Sequence, residues 1–131
     1  MTHPPFTLQN LDHVVLRVRN MERALKFYCE VLGCTQEREV TQIGLVQLRA
    51  GSALIDLIPA AQHEAPQQNR NMDHFALAVI PFDEDKIRAH LTAHGVLHGR
   101  VEERYGANGA GPSLYIQDPD GNQVELKGPA E

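Results

Sequence analysis

Two stretches of this chain are written to one plan. Leu11-Asp12-His13-Val14-Val15-Leu16-Arg17-Val18 and Met72-Asp73-His74-Phe75-Ala76-Leu77-Ala78-Val79 each place Asp-His at the head of a run whose apolar residues recur at every second position. That period marks a half-buried strand. A duplicated unit constrains a fold more tightly than local propensity does, because whatever packs in one copy must also pack in the other.

A helical pattern ending at a glycine follows each stretch. Met21, Ala24, Leu25, Tyr28 and Leu32 recur at three- and four-residue spacing and predict a helix from about Met21 to Leu32, with Asn20 as N-cap and Gly33 as stop. A second helix is predicted from about Glu84 to His94, between Asp83 and Gly95, on the thinner stripe of Ile87 and Leu91. Short extended segments come next: Thr35 to Val40, Gly44 to Arg49 and Ser52 to Ile58 in the first half, then Val96 to Glu102, Ser113 to Gln117 and Gln123 to Lys127 in the second. Asp118-Pro119-Asp120-Gly121 is the clearest turn among them. The order strand, helix, three strands thus appears twice within a single α+β domain covering 1–131. Module 1 spans about 9–60, a polar linker about 61–71, and module 2 about 72–128.

Side chains alternate between the two faces of a strand, so parity decides which of them can meet. With Val14, Leu16 and Val18 packed on the helices, His13, Val15 and Arg17 share the opposite face. By the same reasoning His74 lies opposite Phe75 and Leu77, Asp56 opposite Ile55 and Leu57, and Glu125 opposite Val124 and Leu126. His13, His74, Asp56 and Glu125 therefore stand at repeat-equivalent places, facing away from the helices. In sheets curved around a common cavity they converge on a divalent-metal site. Two imidazoles with one or two carboxylates suit Ni, Zn, Mn, Co or Fe(II) and leave open positions for a ligand. The other histidines, His3, His63, His90, His94 and His98, are read as solvated.

Twelve Lys and Arg against 17 Asp and Glu give a net charge of −5 with no basic cluster. Nucleic acid and anionic membrane surfaces are thereby excluded as partners, since phosphate binding needs clustered positive charge. No apolar run reaches signal-peptide or membrane-span length, and a cytoplasmic protein is expected. Cys29 and Cys34 are expected to be free thiols, with a disulfide as the alternative.

These motifs resemble the glyoxalase, bleomycin-resistance and extradiol-dioxygenase superfamily, the vicinal oxygen chelate proteins. The resemblance runs from Leu11 to Lys127. It rests on Leu11-Asp12-His13-Val14, Phe27-Tyr28, Val31-Leu32-Gly33, Asp73-His74 and, most specifically, Asp118-Pro119-Asp120-Gly121-Asn122 leading into Val124-Glu125-Leu126. It implies two tandem βαβββ modules forming a curved mixed sheet around a cleft, with one divalent ion held by His13, His74 and Glu125. Asp56 falls where glyoxalase I has a fourth ligand, a glutamate; one methylene shorter, it is carried over as a ligand, a water-mediated contact or a nearby base. Members of this length usually form homodimers, often building each site from both subunits.

The chemistry so implied needs a small-molecule substrate with vicinal oxygens. The first reading is a metal-dependent glyoxalase-like lyase or isomerase, with Glu125 or Asp56 moving a proton between adjacent carbons. The alternatives are a metal-dependent extradiol-type dioxygenase and a non-catalytic drug- or metabolite-binding resistance protein. Arg17 falls where glyoxalase I grips a glutathione carboxylate. The run Asp56-Leu57-Ile58-Pro59-Ala60, however, lacks the asparagine that also contacts glutathione, which argues against that substrate. The glycine-rich segment from Arg104 to Ser113 offers Arg104, Tyr105, Asn108 and Ser113 to a substrate, with Tyr115 beside them, either as a substrate-reading loop or as a plain hairpin. It lacks the dense basic set that a dianionic phosphonate wants.

Overall fold

Both predicted helices begin at the caps the sequence offers. Asn20 accepts a hydrogen bond from the Arg23 backbone N–H at 2.9 Å, and Asp83 does the same for Lys86 at 3.1 Å, each satisfying a donor that the first helical turn leaves unpaired. The computed structural model describes residues 9–61 and 72–131; nearly all of the predicted linker, with His63, and the N-terminal tail, with His3, lie outside the described residues. The elements are β1 (His13–Val18), α1 (Met21–Leu25) running on into a π-helical stretch (Lys26–Val31), β2 (Thr35–Val40), β3 (Leu45–Ala50), β4 (Ala53–Pro59), β5 (His74–Ala78), α2 (Glu84–Ala93), β6 (Glu102–Gly106), β7 (Gly109–Gln117) and β8 (Gln123–Lys127).

The strands form two four-stranded mixed sheets, ordered β1-β4-β3-β2 and β5-β8-β7-β6. In each sheet the first strand runs parallel to the last, and the remaining pairs are antiparallel. The register repeats too. His13 lies opposite Leu54 as His74 lies opposite Gln123, so Asp56 and Glu125 occupy the same place in their sheets. The fold is the glyoxalase-like α+β architecture, built from a βαβββ unit used twice. Its inward faces share one core, to which Leu16, Tyr28, Leu48 and Leu57 contribute from the first half and Leu91, Leu114, Ile116 and Val124 from the second.

The first helix departs from the sequence expectation in its geometry. Past Leu25 it widens, and the Leu32 N–H reaches the Phe27 carbonyl at 3.1 Å, five residues back. An α-helical stripe admits Tyr28 but not its neighbour. The wider turn buries both rings, Phe27 at 5% and Tyr28 at 0% exposure, in an edge-to-face pair with centroids 4.9 Å apart, an arrangement aromatic quadrupoles favour.

Of the predicted strand over Val96 to Glu102, only a single bridge between His98 and Ile116 forms before β6 begins at Glu102. The glycine-rich segment forms strand instead, as the hairpin of β6 and β7. Low β-propensity is overridden here by packing. The C-terminal tail lies along β7, the Gly128 N–H bonding the Pro112 carbonyl at 2.7 Å and the Glu131 N–H the Ala110 carbonyl at 2.9 Å. Gly111 permits that approach, because a Cβ there would stand 2.2 Å from the Pro129 carbonyl oxygen. Gly111→Ala should therefore lower stability by about 1–3 kcal/mol, the usual cost of overpacking, seen as a lower midpoint in urea unfolding. An unchanged midpoint would mean that the tail lifts away at no cost.

Candidate functional site

The face of each sheet turned away from the helices carries the polar residues that parity placed there. In the second sheet Glu125 sits at the centre, with Ala76 of β5 opposite it on one side and Tyr115 of β7 on the other. Its carboxylate is nearly buried yet fully engaged. Oε1 lies 3.1 Å from His74 Nε2, and Oε2 accepts from the Ser113 hydroxyl at 2.8 Å. Arg104 of β6 donates to the Ser113 hydroxyl at 3.2 Å and to its carbonyl at 3.1 Å, while its guanidinium lies over the Tyr115 ring, 4.3 Å from the centroid. The same ring meets His74 edge-on at 5.1 Å.

His74 is held at both nitrogens, since Nδ1 lies 2.8 Å from the Asp73 carboxylate while Nε2 faces Glu125. A neutral imidazole donates from only one nitrogen. The Nε2–Oε1 edge is thus a place where a bound cation satisfies two lone-pair donors at once. At metal centres a carboxylate commonly holds one imidazole nitrogen and so aims the other at the ion.

The first sheet repeats the plan with different side chains. His13 Nδ1 lies 2.7 Å from the Asp12 carboxylate, whose hydrogen bond, aided by the charges of Asp56 and Asp12, raises the imidazole above its usual pKa. Asp56 is buried opposite Val15 and Gln47. Arg38 donates to the Gln47 carbonyl oxygen at 3.2 Å, and Gln47 donates to Asp56 Oδ2 at 3.1 Å. This arginine, polar residue, carboxylate chain has the same order as Arg104, Ser113, Glu125. Oδ1 of Asp56 has no hydrogen-bond partner among the described residues. A buried carboxylate oxygen left so is costly and calls for a proton, an ion or a ligand.

Among the described residues no three His, Cys, Asp or Glu side chains lie close enough together to hold an ion. The chain brings His74 to Glu125 in one half and sets His13 near Asp56 in the other, without joining the halves. In kind the donors fit a divalent metal; in number each half is incomplete. Arg17 is exposed on the His13 face of β1. Tyr105, next to Arg104, points to the opposite face and is 85% exposed, and Asn108 lies in the β6–β7 turn. Neither of these touches the His74–Glu125 pair. Gln47 and Arg38 went unread in the sequence, although aligning the two halves by register would have found Gln47 as the counterpart of Tyr115. Cys29 and Cys34 are free, and burial pushes the Cys34 thiol up to about 11, away from nucleophilic use.

The sequence model of the Glyoxalase/Bleomycin resistance protein/Dioxygenase superfamily matches residues 10–126, and the chain belongs to that superfamily. Among its relatives, Virulence protein STM3117 of Salmonella typhimurium is 28% identical over 91% of this chain and 83% of its own. The crystal structure of that protein superposes with a TM-score of 0.77 at 25% identity, covering 95% of this chain and 100% of the other. Glutathione transferase FosA of Serratia marcescens is 28% identical over 91% of this chain and 80% of its own. Catechol-2,3-dioxygenase of Bacillus subtilis is 29% identical over 89% of this chain, which spans 40% of that enzyme's length.

Removing the Ser113 hydroxyl strips Glu125 Oε2 of its donor in a nearly buried place. Ser113→Ala should therefore cost about 1–3 kcal/mol of unfolding free energy, measured by urea denaturation. A loss below about 0.5 kcal/mol, the range of ordinary surface changes, would show that water replaces the hydroxyl and that the contact is dispensable.

Proposed function

We propose that the chain is a metal-dependent glyoxalase-like lyase or isomerase acting on a small substrate with vicinal oxygens. The observation that carries this reading is His74, aimed by Asp73 at a nearly buried Glu125 that Ser113 and Arg104 hold in place. His13, His74 and Glu125 would hold one divalent ion, drawn from Ni, Zn, Mn, Co or Fe(II). When bound, the ion would supply Lewis-acid stabilisation of charge on two adjacent substrate oxygens. The unpartnered Oδ1 of Asp56 takes the proton from the carbon beside a carbonyl and returns it to the neighbouring carbon. Arg104, stacked on Tyr115 and paired with Glu102 at 2.9 Å, would border the substrate with Ser113 at its side, and Arg17 and Asn108 would lie toward the rim.

Each half being incomplete, the site is assembled from two copies, one contributing His13 and Asp56, the other His74 and Glu125. β1 and β5 support this arrangement, since both are sheet edges and leave Leu11, Val15 and Met72 exposed beside them; uncovered edges of this kind invite pairing. No helix among the described residues is long and apolar enough to cross a membrane. The cytoplasmic reading rests on the two free thiols alone.

A second reading, an extradiol-type dioxygenase, draws on the Tyr115 ring beside His74 and on the catechol-2,3-dioxygenase relative. Oxygen consumption with catechols, requiring Fe(II) or Mn(II), would select it over the first. If no ion binds, the remaining reading is a drug- or metabolite-binding protein.

Elemental analysis after incubation with Ni, Zn, Mn and Fe(II) should find about one tight ion per chain, lost in His74→Ala. Asp56→Ala should keep the ion and lose about a hundredfold or more in turnover, the usual contribution of a general base, on 2-oxoaldehydes supplied as their hydrates or thiol hemithioacetals, whose C1 proton lies beside the ketone carbonyl. Absence of any bound ion would defeat the catalytic reading.

A further inference from the structure

At the C-terminal end of α2, on the side of the fold away from the sheets' polar faces, two histidines stand one helical turn apart. The sequence suggests that His90 and His94 are merely solvated. The structure shows their rings adjacent, with centroids 4.6 Å apart and planes at 60°. His90 is also oriented, because its Nε2 lies 2.8 Å from the Val31 carbonyl of the π-helical stretch. A carbonyl only accepts, so the proton sits on Nε2 and Nδ1 carries the free lone pair. A backbone carbonyl on one imidazole nitrogen, fixing the tautomer of the other, is the support that metal-ligating histidines receive.

We infer that His90 and His94 form a second, exchangeable site for a late transition-metal ion, Cu(II), Ni(II) or Zn(II), separate from the His13, His74 and Glu125 set. The ring spacing agrees with chelation. With a metal–nitrogen bond of about 2.0–2.1 Å each ring centroid stands about 3.2 Å from the ion. The ligand angle of about 90° at tetragonal Cu(II) or Ni(II) then separates the centroids by about 4.5 Å, whereas the tetrahedral angle of Zn(II) separates them by about 5.2 Å and requires a small ring movement. Two further conditions favour a cation here. The pair lies in the last turn of α2 and at its C-cap, where the carbonyl end of the helix dipole attracts positive charge. Among the described residues, moreover, the His94 side chain has no hydrogen-bond partner that would have to be displaced, its only hydrogen bonds being those of its backbone N–H.

His94 also lines an open cleft of about 430 Å³ between the first helix, the segment that follows α2 and the β7–β8 turn, together with Phe27, Val31, Leu97 and Asp118, so the remaining coordination positions face solvent. Arg23 and Lys26 line the same cleft and oppose a cation. With only two protein ligands, the site is the weaker of the two. His98 does not join it, since its ring is turned to the Thr92 hydroxyl and the Gly99 carbonyl. Because His90 bridges α2 to the π-helical stretch, an ion bound here would brace the contact between the two halves.

The test uses untagged, full-length protein, ¹⁵N-labelled, titrated with Cu(II) in the His74→Ala background so that the sheet-face set is disabled. Paramagnetic broadening should appear first at the amides from Leu91 to Val96. Adding His94→Ala, an exposed substitution, should weaken it by about tenfold or more, since losing a ligand costs no less than losing a ligand's outer partner. His94→Gln should weaken it comparably, and His98→Ala should leave it unchanged. Broadening spread over the surface, centred elsewhere, or indifferent to His94→Ala would overturn the site, and none of these outcomes depends on whether the proposed enzymatic reaction is correct.

Discussion

The hydrogen bond from the Tyr28 hydroxyl to Asp118, 2.6 Å long and buried, ties the two halves of the molecule to one another. Asp118 also accepts from the backbone N–H groups of Asp120 and Asn122 and from the Asn122 side chain. One carboxylate thus closes the turn between β7 and β8 and at the same time anchors it to the π-helical stretch of the first half. Asp120 adds a second tie by accepting from the Arg19 backbone. Burial and the adjacent Asp118 charge raise the Tyr28 phenol well above its ordinary pKa, so it stays protonated and remains a donor. Because β8 leaves this turn directly, the place of Glu125 on its sheet follows from the same bond.

On that frame the two halves carry one site plan with different contents. Each has Asp-His at the head of an edge strand and an arginine reaching a carboxylate through a polar residue. The second half pairs a long carboxylate with the small Ala76 and a tyrosine-stacked arginine that Glu102 also holds. The first half pairs the shorter Asp56 with Val15 and Gln47 and leaves one carboxylate oxygen unpartnered. Identical halves would give a symmetrical binding site. These halves are unequal, and the proposed reading gives the second the binding role and the first the proton-accepting one.

Much of this was legible in the sequence, because the features that define it are local or periodic. The Asp12-His13 and Asp73-His74 pairs, the caps at Asn20 and Asp83, and the facing of His13, His74, Asp56 and Glu125 follow from spacing alone. The widening after Leu25 was not legible, since it answers to the burial of Phe27 beside Tyr28, a tertiary demand. The β6–β7 hairpin was legible only as one of two alternatives for the glycine-rich segment, whose glycines disfavour strand until the C-terminal tail packs on Gly111. Arg38 and Gln47 were missed because a polar residue on an outward strand face looks ordinary until the register sets it opposite Asp56. Tyr105 was placed at the site by proximity in sequence, while the pleat turns it to the other face from Arg104.

The central claim is that one site is assembled from the unlike halves of two chains. Mixing His13→Ala protein with His74→Ala protein, after dissociation and reassociation, tests it directly. Each variant alone should bind no tight ion. In a mixed dimer one site receives both substitutions and the other neither, so random pairing should restore about a quarter of the sites, measured as bound metal after gel filtration. A mixture that binds no more than its separate components would contradict the account.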